Sequence, residues 1–334
     1  MRDDSSHRFV ASVQRIARLL ASAALIVGSL VTFPAGVPWM IALWLSLATA
    51  LMLQGRAGWL PLASCVLVIV VKRLDWPPGM WLLVAAMFVV GLLGARVRQL
   101  TDVPQRRRLT WVMMAFLWLA WVEMTWDWRR GTHADHAAPA LDGRPVVCLG
   151  DSLTRNPPNG DYSAALAKLL AVPVINLGRP GISSQQALLP ELVKTLPQVV
   201  VIELGGHDFN NDDTFFKTES RAALKQNVQR FIAAARELDA DVVLVEIPRG
   251  FITDPYAGLE RELARKEDLE LVADTAIRNL VLRSPAGPIG VWTGGPYLSD
   301  DGLHPNARGD AYLAQRVAAS LVQLYGRRIL KPAD

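Results

Sequence analysis

The chain changes physical character once, near residue 130, and the two sides of that change cannot share one hydrophobic core. Before it lie five apolar stretches: Leu19 to Phe33, Pro38 to Leu53, Ala57 to Val71, Met80 to Gly94, and Leu109 to Trp126. Helices that are apolar all round belong inside a large core or a bilayer. Several of these stretches fall short of the roughly 20 residues that cross a membrane comfortably, so the number of crossings stays open, and the third is the weakest. Ten of the 11 Trp lie before Ala137, and Lys plus Arg outnumber Asp plus Glu by 14 to 6 in residues 1–130. The remainder carries 21 basic against 25 acidic side chains. The net charge of +4 therefore belongs to the apolar region and is not a nucleic-acid footprint spread over a globular domain.

The arginines sort the loops. Arg2, Arg8, Arg15 and Arg18 precede the first stretch, Arg56 follows the second, and Arg96, Arg98, Arg106, Arg107 and Arg108 follow the fourth. Placing all three segments in the cytoplasm requires an odd number of spans and puts the C-terminal half outside, in the periplasm or beyond the cell. Lys72, Arg73, Arg129 and Arg130 then form an outer minority. A cleaved signal peptide accounts for the first stretch only. Glu123 is the only acidic or basic residue inside a stretch, and it sits near the outer boundary, so this half reads as an anchor in the lipid bilayer. The expected organisation is a transmembrane region over 1–126, a linker over 127–144, a catalytic domain over 145–327 and a tail over 328–334. His133 and His136 in the linker carry no metal signature.

From Pro145 the pattern alternates short apolar runs with helical stretches, which predicts an α/β fold around a parallel sheet. Strands are expected at Val146 to Leu149, Val172 to Leu177, Val199 to Leu204, Val242 to Ile247 and Leu269 to Ala273. Helices are expected at Tyr162 to Leu170, Ser184 to Leu196, Ser220 to Leu238, Pro255 to Lys266 and Asn306 to Leu324. Cys65 falls in a span and Cys148 in a buried strand, so no disulfide is expected, and Cys148 reads as a small core residue.

Four short motifs punctuate this half. Gly150-Asp151-Ser152-Leu153 follows the first strand and projects a serine at the sheet's edge. Asn176-Leu177-Gly178-Arg179-Pro180-Gly181 follows the second strand, and Gly205-Gly206-His207-Asp208 the third. Asp301-Gly302-Leu303-His304-Pro305 spaces an acid three residues ahead of an imidazole, so one tight loop delivers both. A serine nucleophile, a histidine base and its carboxylate partner are the parts of acyl-transfer chemistry. A glycine amide, the serine amide and a side-chain donor at position 207 complete an oxyanion hole.

These blocks resemble the SGNH (GDSL) hydrolase family, over about Pro145 to Leu324. Ser183 to Leu188, Val201 to Gly206 and Asp300 to Asn306 are similar to its bacterial periplasmic thioesterase/lysophospholipase branch. The resemblance implies a three-layer α/β/α fold with a five-stranded parallel sheet, and neither metal nor cofactor. It implies Ser152 as nucleophile, His304 as base and Asp301 as its orienter, with Gly181 rather than Gly178 as the glycine of the second block. The family's third block has Asn where this chain has His207, and a neutral imidazole still offers one N–H.

The expected function is a membrane-anchored, extracytoplasmic serine hydrolase cleaving carboxylic esters of a lipid, cell-wall sugar or small molecule. An O-acyltransferase acting on an envelope sugar or lipid shares the same acyl-enzyme. A non-catalytic binding protein on the same fold is the third possibility. The loop Arg155 to Gly160 and the stretch Ser284 to Tyr297 are expected to shape the pocket.

Overall fold

A computed structural model describes residues 23, 27, 37–53, 59–72, 78–100, 104–129, 140–156, 160–186, 188–210, 218–247, 256–277, 280 and 296–332. The chain divides into two compact units, Met1–Trp128 and Arg129–Asp334. All but two residues of the first apolar stretch, both histidines of the expected linker and most of Ser284 to Tyr297 lie outside the described residues.

The N-terminal unit contains helices α1 (Val37–Leu53), α2 (Trp59–Lys72), α3 (Pro78–Leu100) and α4 (Pro104–Arg129). Its buried seam joins Ile41, Trp44 and Leu45 of α1 to Val68 of α2, Met87 of α3 and Trp121 of α4. Two indoles on the seam find acceptors within the unit. The Trp121 indole donates to the Pro38 carbonyl at 3.1 Å, and the Trp118 indole donates to Ser46 Oγ at 2.7 Å. Outside the seam the helices present Leu82, Phe88, Leu93, Phe116 and Leu119 outward. Among the described residues one helix is long and apolar enough to cross a membrane, over Arg108–Trp126. Its 19 residues rise about 28 Å, close to the ~30 Å hydrocarbon core. The apolar parts of α1 and α3 are shorter, and α2 has only 14 residues.

The C-terminal unit is an α/β fold built on a five-stranded parallel sheet in the order β2-β1-β3-β4-β5. The strands are β1 (Val146–Gly150), β2 (Val174–Asn176), β3 (Val199–Glu203), β4 (Asp241–Val245) and β5 (Glu270–Val272). Every residue of β1 and β3 is buried, so helices must cover both faces, as a continuous β-branched run in a parallel sheet requires. The helices are α5 (Tyr162–Leu169), α6 (Leu189–Thr195), α7 (Gly206–Asn210), α8 (Thr218–Glu237), α9 (Leu259–Glu267) and α10 (Ala307–Tyr325). Helix α10 packs on α5, β4 and β5, and α8 packs on α6, α9, β3 and β4. In α10 the buried Leu313, Ala314, Val317, Leu321 and Leu324 recur at helical spacing. Asn306 caps it by accepting the amides of Arg308 and Gly309. The chain runs from β1 to β2 on one side and on to β3 on the other. The crevice where ligands bind in such sheets thus opens at the carboxyl ends of β1 and β3.

Three expectations need correction. The helix expected over Ser184 to Leu196 is two pieces, a 3₁₀ turn at Ser184–Gln186 and then α6, in which Pro190 occupies the first turn. Proline has no amide hydrogen to donate back to a preceding turn but fits a first turn, so the helix begins afresh there. Helix α9 starts at Leu259, after Gly258 turns the chain at φ 75°. The supposed tail is part of the unit: the Ala171 amide donates to the Ile329 carbonyl and the Lys331 amide to the Leu169 carbonyl, and Ile329 is buried.

Two polar clusters brace the sheet. At the carboxyl ends of β4 and β5, Arg261 is buried and its guanidinium meets Glu246 at 2.6 Å and Asp274 at 3.1 Å. The amide of Asp274 also donates to Glu246, so the three residues close on one another. At the opposite end, Arg144 bonds Asp142 and donates to the carbonyls of Pro197, Leu238 and Asp239, just before β3 and β4 begin.

Candidate active site

The turn that carries Ser152 is held by its own aspartate. Asp151 is fully buried; its carboxylate accepts the Leu153 amide at 3.0 Å and the His207 amide at 2.8 Å. One side chain thereby joins the turn after β1 to the start of α7 after β3. Gly206 makes room for it, since a Cβ there would lie 2.9 Å from Asp151 Oδ2 and from Leu153 Cδ1. Ser152, at the apex, is half-buried.

The fourth motif meets that serine. His304 Nε2 lies 2.9 Å from Ser152 Oγ, and His304 Nδ1 lies 2.7 Å from Asp301 Oδ2. An ionised carboxylate only accepts, so Nδ1 carries the proton and Nε2 presents its lone pair to the hydroxyl. The other carboxylate oxygen accepts the amides of Leu303 at 2.9 Å and His304 at 3.0 Å. Partial burial works to raise the Asp301 carboxyl, but the bonds from the His304 ring and these two amides prevail and hold it below the usual range. The loop closes on itself: the Ser299 amide donates to the His304 carbonyl, and Asn306 Nδ2 donates to the Leu298 carbonyl.

Gly181 sits beside this pair at φ 72°. A Cβ there meets nothing within 4 Å, so among the protein's own atoms it is the backbone angle that favours glycine. Among the described residues neither the Gly181 amide nor the Ser152 amide has an acceptor. Gly178, the alternative, is buried, and its amide donates to Asn176 Oδ1 at 2.6 Å. Ser152, Gly181, His207 and His304 line one cavity of about 220 Å³, with Leu153, Pro180 and Leu303 as apolar walls and Asn156 as a polar one.

Several contributors escaped the sequence reading. Asp208 accepts the Ser184 amide at 3.0 Å and the Ser184 hydroxyl at 2.8 Å, tying the segment after Gly181 to α7. Its signal was an acid in the first turn of a helix that opens on the second of two glycines. Asn156 was named only as part of a loop. Cys148 lies on β1, where burial pushes its thiol up to about 12, so it is no thiolate at neutral pH. Both cysteines are free and buried.

Residues 148–312 match the GDSL-like lipase/acylhydrolase family. The match falls within the C-terminal unit, which is similar to that family over those residues. The protein is a serine hydrolase of the esterase type. Similar solved structures include that of TesA, 24% identical with a TM-score of 0.43, covering 54% of this chain and 99% of that one. The lipase/acylhydrolase from Enterococcus faecalis is 20% identical with a TM-score of 0.40, covering 57% and 99%. The acetyl xylan esterase AlAXEase is 18% identical with a TM-score of 0.42, covering 53% and 99%. No curated protein matches the chain.

Proposed function

We propose that the chain is a membrane-anchored, extracytoplasmic carboxylesterase in which Ser152, His304 and Asp301 form the catalytic triad. The observation that carries this reading is the continuous relay from Asp301 through His304 to Ser152, at 2.7 and 2.9 Å, opening into a cavity lined by Ser152 and Gly181, whose amides have no acceptor among the described residues. Ser152 Oγ attacks the ester carbonyl while His304 Nε2 takes the hydroxyl proton. The oxyanion is bound by the amides of Ser152 and Gly181 and by the imidazole N–H of His207. His304 then gives its proton to the departing alkoxide, and water, activated by the same imidazole, releases the acid from Ser152. Asp301 orients the imidazole throughout and stays ionised.

Anchoring rests on the apolar helix over Arg108–Trp126 and on the outward apolar surface of α3 and α4. The arginine distribution supports several spans with the catalytic unit outside.

The test is labelling of the full chain with a fluorophosphonate, together with turnover of a short-chain aryl ester. Wild type should be labelled, and Ser152→Ala should be folded, unlabelled and slower by several orders of magnitude. Turnover of Ser152→Ala within tenfold of wild type would remove Ser152 from the mechanism. Running the assay with a sugar acceptor separates the outcomes: free acid as sole product means hydrolysis, and acylated sugar means transfer.

A further inference from the structure

A carboxylate in the first turn of a helix ordinarily faces water and caps its own amides. In α10 that task is done by Asn306, and Asp310 turns inward, 5% exposed, away from its own helix end. Its Oδ2 accepts the amide of Asp161 at 3.1 Å. The preceding residue, Gly160, is so close that a Cβ there would lie 1.8 Å from the same oxygen. Gly160 in turn exchanges both backbone hydrogen bonds with Asn156, at 3.0 and 3.1 Å. Asn156 is the polar wall of the cavity that holds Ser152 and His304. On the other side, the Asp310 amide donates to the carbonyl of Asn306, two residues after His304. One carboxyl group thus ties the backbone behind the pocket wall to the first turn of α10, the helix that opens directly after the loop carrying the base.

We propose that Asp310 is a positioning residue that sets the Asn156 wall against the His304 loop and so governs how tightly ester substrates are held. The inference rests on the reading of Ser152 and His304 as nucleophile and base. Asp310 touches neither the substrate nor the reacting atoms. Its effect passes through the backbone of Gly160 and Asn156. Loss of the acceptor leaves the Asp161 amide without its partner, and the wall is no longer held at one distance from the imidazole. Substrate binding then suffers more than the chemical step.

The experiment compares Asp310→Ala, Asp310→Asn, Gly160→Ala and the double variant Gly160→Ala/Asp310→Ala in the full chain, with a short-chain aryl ester. Asp310→Ala should raise KM about tenfold, the scale of one unsatisfied buried donor, while kcat falls no more than about threefold. Asp310→Asn keeps an oxygen acceptor of the same reach and should stay within about twofold of wild-type KM. Gly160→Ala drives a methyl group against the carboxyl and should raise KM similarly. The double variant should be no worse than the worse single, since both break one contact. KM unmoved by Asp310→Ala, or no rescue by Asp310→Asn, would overturn the inference. If Asp310→Ala does not fold, the KM of Gly160→Ala decides. Ser152→Ala, run alongside, separates the two readings: activity surviving there strikes the triad itself, whereas serine-dependent activity with unchanged KM strikes only the role of Asp310.

Discussion

An imidazole with one N–H and a primary amide with two are different tools for holding an oxyanion, and His207 is where this chain departs from the family it resembles. His207 lines the same cavity as His304, and its amide is fixed by Asp151. His207→Ala should lower kcat by about 100- to 1,000-fold with a smaller change in KM, and His207→Asn should keep much of the activity. Near-wild-type kcat for His207→Ala would reduce the residue to loop packing. Asp310 sets a second test at this scale. Burial raises its carboxyl from 3.8 to about 7; the Asp161 amide opposes the rise and the Asp161 charge adds to it. A group that holds its proton more tightly when folded stabilises fully below the unfolded value, and that contribution is lost as pH rises through about 7. Wild type should therefore lose melting temperature relative to Asp310→Asn between pH 5 and pH 8. Parallel melting curves across that range would show that the carboxyl does not titrate there.

Elements were legible where their cause is local. The β-branched runs at Val146 and Val199 announced buried parallel strands, and the acid three residues before His304 announced a loop that delivers a pair. Asp151 and Asp208 were not legible as braces, because their partners lie far along the chain and only the β1–β3 crevice brings them together. Gly181 was located from its motif, but its positive φ was not legible, since a backbone angle leaves no trace in spacing. The cluster of Arg261, Glu246 and Asp274 was equally silent in the sequence. It joins α9 to the ends of β4 and β5, on the side of the sheet where the cleft opens. Removing one partner strands a buried charge, so Arg261→Ala should cost about 3–5 kcal/mol in a denaturant titration. A loss within about 0.5 kcal/mol, the range of an ordinary surface substitution, would show that the cluster is dispensable.

At the scale of the whole chain, composition alone separated an apolar, basic half from a mildly acidic α/β half, and the boundary between the two compact units falls at Trp128. The number of spans was less legible, because an apolar run of 14 to 17 residues serves a helical core and a bilayer equally well. A reporter active only outside the cytoplasm, fused after Asp334, should be active, and activity from a cytoplasm-only reporter instead would reverse the proposed orientation. The clasp at Arg144 bears on any protein held by one end. The backbone reaches β1 only after passing this guanidinium, which grips three carbonyls at the blunt end of the sheet, remote from the serine. A pull on the polypeptide at Ala140 is spent on that rivet before it can strain the first strand. In the anchored protein proposed above, drag on the anchor would loosen the heel of the C-terminal unit and leave its cutting edge in register.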